Sequence, residues 1–235
     1  MAKTSGGWKE HLRGHLLLFE PPARPDYGDA AGLRILLLAA ALEILRIVLV
    51  RALGPHLPLW AIVPPFVVVA VVLVPLVSKV PLSQLGLRPW SAWTTTEKSY
   101  FLQVMVLAAG LVPMMLFLEP GSITERMQRL SGVFVPYLLF GFYQELVYRG
   151  LVQTELVRRW GAAAGIVGAN LLYTFGPLHA NHYGARLGAA VPMFAAVFLI
   201  GLFFGVLYRR SGNLWIVGCF HAIGNAVIMW RLGST

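Results

Sequence analysis

Six polar residues lie in stretches of sequence that are otherwise apolar: Gln144, Glu145, Arg149, His179, His221 and Asn225. Moving an ionisable side chain into a bilayer costs about 2.5–3.5 kcal/mol on insertion scales, so such residues are by default candidates for function. A carboxylate or an imidazole can take a proton from water, and the N–H groups of histidine and asparagine can donate to an anion. The set therefore predicts a polar site within an apolar protein.

The spacing of these residues indicates shared helix faces. Glu145 and Arg149 are four residues apart, as are His221 and Asn225, and residues with that separation lie on one face of an α-helix. Gln144 is turned about 100° from Glu145 on the same helix, so these two side chains need not serve one site. Each pair has a structural alternative, an ion pair or a hydrogen bond that joins two helices. Their joint occurrence in three apolar segments favours a functional site.

Composition places these residues in an integral membrane protein. The chain has 235 residues, of which 57% are hydrophobic and only 12% charged, whereas about a quarter of the residues of a soluble domain are charged. Its net charge of +9 comes from Lys and Arg in short loops between apolar runs, which indicates membrane topology and lipid headgroups rather than nucleic-acid binding. The single cysteine, Cys219, excludes an intrachain disulfide.

The fold class predicted is all-α, with about seven transmembrane helices and the polar site among the fourth, fifth and seventh. Residues 1–30 are expected to form a cytoplasmic tail or an interfacial helix, and residues 31–235 one multi-span membrane domain. A span needs about 20 apolar residues, and the candidate spans are 31–53, 58–78, 98–118, 133–156, 162–179, 188–208 and 213–231. Lys and Arg are more frequent on the side that carries the N-terminus, which predicts a cytoplasmic N-terminus.

The second histidine segment raises a geometric problem. His179 follows Phe175 by four residues, with Gly176 and Pro177 between them, so a broken turn is predicted there. In straight spans Glu145 would lie near mid-membrane and His179 near the outer end. The break must bring His179 inward if these residues share a site; otherwise His179 is an interfacial residue.

At residues 132–230 the pattern resembles the CPBP family, the CAAX proteases and bacteriocin-processing enzymes also called the Abi family. The family signatures are Glu-Glu-x-x-x-Arg, Phe-x-x-x-His and His-x-x-x-Asn. This chain has Gln144-Glu145-Leu-Val-Tyr-Arg149, Phe175-Gly-Pro-Leu-His179 and His221-Ala-Ile-Gly-Asn225, in the same order.

The resemblance implies an intramembrane endopeptidase acting on a membrane-associated peptide or protein, such as one with a lipidated or C-terminal anchoring segment. It implies that the first motif and His179 activate water, that His221 and Asn225 stabilise the oxyanion, and that Phe175 contributes to substrate binding. No cofactor is expected. The short loops and the Ala-, Gly- and Arg-rich composition fit a bacterial inner membrane.

The chain departs from the family at Gln144, where the first glutamate is usually credited as the base. Three interpretations are open: a deliberate Glu-to-Gln substitution that keeps the shape and removes the base, a natural branch in which Glu145 or His179 does the work, or a silent member. We favour the first because the rest of the motif is preserved.

Two other classes of function compete with a protease. Gln144 also fits a non-catalytic membrane scaffold or immunity protein that binds such substrates, and a transporter could use the same residues as a proton relay, although no inverted repeat is visible. Within the protease class a zinc site is an alternative, with Glu145, His179 and His221 as ligands, but the chain lacks a His-Glu-x-x-His helix.

Overall fold

The structure is a computed structural model that describes residues 25–118, 122–182 and 187–232. This part of the chain is helical and contains no strand, which confirms the all-α class. Most of the predicted N-terminal tail, residues 1–24, lies outside the described residues.

The helices follow the apolar segments closely. In chain order they are α1 (Gly28–Leu53), α2 (Leu59–Ser78), α3 (Thr95–Leu118), α4 (Ile123–Glu145), α5 (Thr154–Trp160), α6 (Ala162–Phe175), α7 (Leu187–Ser211) and α8 (Leu214–Leu232). A π-helical segment, Leu146–Gln153, joins α4 to α5 without a break, and short 3₁₀ turns occupy Leu82–Leu85, Trp90–Ala92 and Pro177–His182.

Two described helices, Leu59–Ser78 and Ala190–Ser211, are long and apolar enough to cross a membrane, and Leu214–Ala226 forms a shorter apolar helix. Helix α6 ends at Phe175, four residues before the predicted end of the fifth span. Its 14 residues extend about 21 Å at 1.5 Å per residue, less than the ~30 Å thickness of a bilayer core. The count of seven spans remains a prediction.

Helices α4 and α8 pack closely at the level of the polar residues. A Cβ placed on Gly141 would lie 2.7 Å from the Cα of Ala222, so only glycine permits the two backbones to approach this near. Close approach through small residues is a common way for membrane helices to associate. It brings the last turn of α4 within side-chain reach of His221 and Asn225.

A second contact fixes α1 against the other side of α4. Glu43 and Arg46 of α1 form a buried ion pair at 2.9 Å, and the hydroxyls of Tyr143 and Tyr148 donate to the two carboxylate oxygens of Glu43 at 2.9 and 3.2 Å. We call these four residues the Glu43 cluster. The tyrosines come from α4 and the π-helical segment, so the cluster ties both to α1.

The link between α5 and α6 is a single residue. Gly161 has a φ of +82°, a conformation that side chains rarely adopt, and it reverses the chain so that α6 packs back on α5. A Cβ on Gly165 of α6 would overlap the backbone of Val157. The tight reversal places the second half of α6 beside the π-helical segment.

Candidate active site

The π-helical segment directs successive polar residues of one helix towards different neighbours. Within it the backbone N–H of Thr154 bonds to the carbonyl of Arg149, and the Thr154 hydroxyl donates to the same oxygen at 3.0 Å. Such segments are rare and occur mostly as short insertions at functional sites. Gln144 and Glu145 precede the segment and face α8, whereas Arg149 and Gln153 lie within it and bond to carbonyls of α7.

Glu145 and His221 form the central pair. The Glu145 Oε1 lies 2.6 Å from the His221 Nδ1, and the two residues are 0% and 6% exposed. Because an ionised carboxylate only accepts, the Nδ1 must carry the hydrogen. The Arg149 Nε stands 3.3 Å from the other oxygen, Oε2, as an ion pair but without hydrogen-bond geometry, so this oxygen has no hydrogen-bond partner among the described residues.

Gln144 and Asn225 form a second pair one turn away. The Asn225 Nδ2 donates to the Gln144 Oε1 at 2.7 Å. Although Gln144 and Glu145 are adjacent, both therefore face α8 and meet residues that are four apart there. The first and third motifs are thus in direct contact. A primary amide has two N–H groups, so the second hydrogen of Asn225 is not used by Gln144.

Arg149 is held by α6 and α7. Its Nη2 donates to the Gly201 carbonyl at 2.9 Å and to the Asn170 Oδ1 at 3.4 Å, while the Asn170 amide donates to the Phe198 carbonyl at 2.9 Å. A Cβ on Gly201 would overlap the Asn170 oxygen. Arg149 therefore balances the charge of Glu145 and connects the site to α7 at the same time.

The predicted break at the end of α6 sets the position of His179. Helix α6 ends at Phe175, and the 3₁₀ turn Pro177–His182 follows, with His179 itself at φ −104° and ψ 15°. The His179 Nδ1 lies 3.0 Å from the Tyr173 carbonyl oxygen, and the rings of His179 and Tyr173 meet edge-on at 5.3 Å. His179 thus packs against the end of α6.

Tyr173 is the residue that contacts all three motifs. Besides His179, its ring lies under the Arg149 guanidinium at 5.0 Å, and its hydroxyl stands 3.4 Å from the His221 Nε2. Sequence reasoning missed this residue because a tyrosine near a span end resembles an interfacial anchor. Asn170 was missed as well, although an amide in an otherwise apolar helix is itself a signal.

Phe175 is half exposed and stacks on Phe194 of α7, with ring centroids 5.4 Å apart. Its predicted part in substrate binding stays a prediction. The described residues contain no group of three or more His, Cys, Asp or Glu side chains that could hold a metal ion. The set of Glu145, His179 and His221 proposed for zinc does not form such a group in the described part of the chain.

Comparison with known proteins gives one match. Residues 126–227 match the family model described as Type II CAAX prenyl endopeptidase Rce1-like. No curated protein and no solved structure matches the chain. The matched range contains Gln144, Glu145, Arg149 and the residues that meet them on α6, α7 and α8. The Glu43 cluster lies partly outside it.

Proposed function

We propose, from the premise that residues 126–227 belong to the Rce1-like family of type II CAAX prenyl endopeptidases, that this protein is an intramembrane endopeptidase. Its substrate would be a membrane-associated peptide or protein cut near a lipidated or C-terminal anchoring segment. The short loops and the Ala-, Gly- and Arg-rich composition favour a bacterial inner membrane, and the distribution of Lys and Arg favours a cytoplasmic N-terminus. The observation that carries the proposal is the buried Glu145–His221 pair, with one carboxylate oxygen free of hydrogen bonds among the described residues.

The pair can move a proton during peptide hydrolysis. Water attacks the peptide carbonyl carbon, and its proton passes to the Glu145–His221 pair. The His179 Nδ1 faces a carbonyl, which only accepts, so a neutral His179 ring has its lone pair on Nε2, the atom that we propose accepts a hydrogen bond from the water and orients it. Positioned proton transfer of this kind contributes about 10²–10⁴-fold to the rate.

The second pair lies where a donor to the oxyanion is needed. The second Asn225 N–H and the His221 ring, once it has taken up the proton, donate to the oxyanion of the tetrahedral intermediate; removal of one such donor costs about 2.7–4 kcal/mol in other hydrolases. When the C–N bond breaks, the Glu145–His221 pair returns the proton to the departing nitrogen. The products are a carboxylic acid and an amine, and no other reactant is consumed.

Gln144 limits this chemistry in the present chain. Its amide oxygen accepts the Asn225 hydrogen bond, as a glutamate oxygen would, but an amide cannot take up a proton at neutral pH. Gln144→Glu keeps the shape of the side chain and its acceptor and adds a carboxylate one residue from Glu145. We therefore expect the substitution to raise activity without rearranging α4 and α8.

The test compares four forms of the purified protein in liposomes: the parent, Gln144→Glu, and each of these with Glu145→Ala. The probe is a fluorogenic peptide with a prenylated C-terminal CAAX sequence, and the same peptide without the prenyl group is the matched control. We expect slow cleavage by the parent, cleavage by Gln144→Glu that is about 10²-fold faster or more, and no cleavage by either Glu145→Ala form.

Two outcomes would overturn the proposal. If cleavage by the parent and by Gln144→Glu is unchanged when Glu145 is removed, the activity belongs to another protein in the preparation. If all four forms bind the prenylated peptide and none cuts it, the chain is a binding scaffold rather than a protease.

A further inference from the structure

Tyr173 lies between the two histidines of the site and contacts each in a different way. Its carbonyl oxygen faces the His179 Nδ1 at 3.0 Å, and its hydroxyl faces the His221 Nε2 at 3.4 Å. We propose that Tyr173 is a positioning residue that fixes the tautomers of both histidines, so that each ring keeps its hydrogen on Nδ1. The consequence for catalysis rests on the function proposed above; the tautomers themselves do not.

The carbonyl contact determines the tautomer of His179. A backbone carbonyl has lone pairs and no hydrogen, so the His179 Nδ1 must be the donor. The neutral ring then has its lone pair on Nε2. This contact uses the main chain of Tyr173 and does not depend on the tyrosine side chain.

The hydroxyl contact acts on His221 together with Glu145. The Glu145 carboxylate, 2.6 Å away, takes the hydrogen of His221 Nδ1, and a neutral ring can then only accept at Nε2, where it meets the Tyr173 O–H. Charge favours the neutral ring, because Glu145 and Arg149 already balance each other in a fully buried ion pair and a third buried charge would be uncompensated. At 3.4 Å the Tyr173 bond is long, so water can replace it during the reaction.

The Tyr173 ring is itself held on several sides. The Arg149 guanidinium lies 5.0 Å from the ring centroid, and Tyr148 meets the ring edge-on at 5.3 Å. Tyr173 is only 6% exposed and lies in the last turn of α6, directly before the break that turns His179 back. A side chain fixed in this way can hold the orientation of another ring.

Together these contacts present Nε2 of both histidines as acceptors. Hydrolysis needs such nitrogens, because the attacking water must be oriented and must lose a proton. Free histidine prefers the opposite tautomer, with the hydrogen on Nε2, so the arrangement requires partners at both rings. Tyr173 supplies one partner to each histidine.

The test is nitrogen NMR of protein labelled with ¹⁵N-histidine, in lipid nanodiscs, with His179 and His221 assigned by His179→Gln and His221→Gln. We expect both rings of the parent to carry the hydrogen on Nδ1. Tyr173→Phe should shift the His221 Nε2 resonance and introduce the Nε2–H form, while His179 keeps its tautomer because the carbonyl remains. Tyr148→Phe is the matched control: it removes a hydroxyl from the neighbouring ring, which bonds to Glu43, and should change neither histidine.

The proposal is wrong if His221 carries its hydrogen on Nε2 in the parent, or if its resonances are the same in Tyr173→Phe and the parent. Should Tyr173→Phe fail to fold, 3-fluorotyrosine at position 173 retains the ring and strengthens the hydroxyl as a donor. The His221 Nε2 resonance must then move in the direction of a stronger hydrogen bond, and a stationary resonance counts against the proposal.

A kinetic measurement extends the test to the proposed function. With Gln144→Glu as background, Tyr173→Phe should lower kcat about tenfold, on the scale of one hydrogen bond, with little change in KM. Absence of proteolysis in every form would count against the protease and leave the tautomer result standing. If the enzyme is active but Tyr173→Phe leaves the histidine tautomers unaltered, the tautomer proposal is wrong and the proposed function stands.

Discussion

Two of the buried carboxylates, those of Glu43 and Glu145, differ in how many hydrogen bonds they accept. Glu43 has both oxygens bonded: Arg46 donates to each of them, and Tyr143 and Tyr148 donate to one each. Glu145 has one oxygen bonded to His221, while its Oε2 has an ion pair with Arg149 but no hydrogen bond among the described residues. Glu43 therefore accepts hydrogen bonds at both oxygens, whereas Glu145 accepts one at Oε1 only in the described part of the chain.

This difference separates a carboxylate that holds helices together from one that we propose to react. A carboxylate whose lone pairs are all engaged cannot take up a proton without losing several hydrogen bonds, so the Glu43 cluster serves to fix α1 against α4. A carboxylate with an unbonded oxygen beside a titratable imidazole can exchange a proton at less cost. Because both carboxylates are buried, the number of hydrogen bonds that each accepts distinguishes the carboxylate of the proposed proton transfer from the one that holds α1 against α4.

The largest expected effect is on catalysis. In the Gln144→Glu background, Glu145→Gln should lower kcat/KM by about 10²–10⁴-fold, the range of a positioned proton acceptor. Glu43→Gln should change the rate per folded molecule far less, because Glu43 makes no direct contact with either histidine. Cleavage of the prenylated peptide, normalised to folded protein, measures both. Equal losses from the two substitutions would abolish the distinction between the carboxylates.

The next effect is on stability. Glu43→Gln leaves Arg46 buried without its counter-ion, and breaking a buried pair costs about 3–5 kcal/mol. The double variant Glu43→Gln/Arg46→Gln should recover part of that loss, because it removes the uncompensated charge. Denaturant unfolding in mild detergent tests both. Glu145→Gln likewise leaves Arg149 buried without its counter-ion, so both substitutions should destabilise the fold, and an unchanged free energy of unfolding in Glu43→Gln would contradict the structural role of the Glu43 cluster.

The smallest effect belongs to an exposed carboxylate. Asp29 at the start of α1 bonds to Arg158 at 2.8 Å, and this hydrogen bond lowers the pKa of Asp29 below its ordinary value of 3.8. A lowered pKa means that the contact stabilises the fold above pH 3.8 and is lost as the pH falls through the folded value. Asp29→Asn should change the free energy of unfolding only slightly at pH 7. It should also remove the loss of stability that accompanies protonation of Asp29 at acid pH. If Asp29→Asn lowers the free energy of unfolding as much as Glu43→Gln does, burial does not explain the difference between these two carboxylates.

The sequence was sufficient to pair residues that lie on one helix and to predict the helices that carry them. Four-residue spacings within a helix are local, and they correctly grouped Glu145 with Arg149 and His221 with Asn225. The break at Gly176 and Pro177 could also be anticipated, because proline cannot continue a helix.

Contacts between distant segments could not be predicted in the same way. Gln144 and Glu145 are about 100° apart on a helix and need not serve one site, yet both meet α8, because α4 passes close to α8 at Gly141. The hydrogen bond from Tyr148 to Glu43 joins residues 105 positions apart, and the spacing of residues within one helix cannot predict it. Tyr173 carries no charge and fits a membrane anchor as well as it fits a site, so composition gave no reason to select it.

The partners of α4 have a consequence for biogenesis. His221 lies 76 positions after Glu145, on the helix that the ribosome makes after all the other described helices. Until α8 is made, Gln144 and Glu145 enter the bilayer with α4 and have no partner on α8. Arg149 likewise cannot bond to the Gly201 carbonyl until α7 has been made. A nascent chain that stops before residue 214 therefore exposes buried polar groups to lipid, a feature by which membrane quality control could select it for degradation.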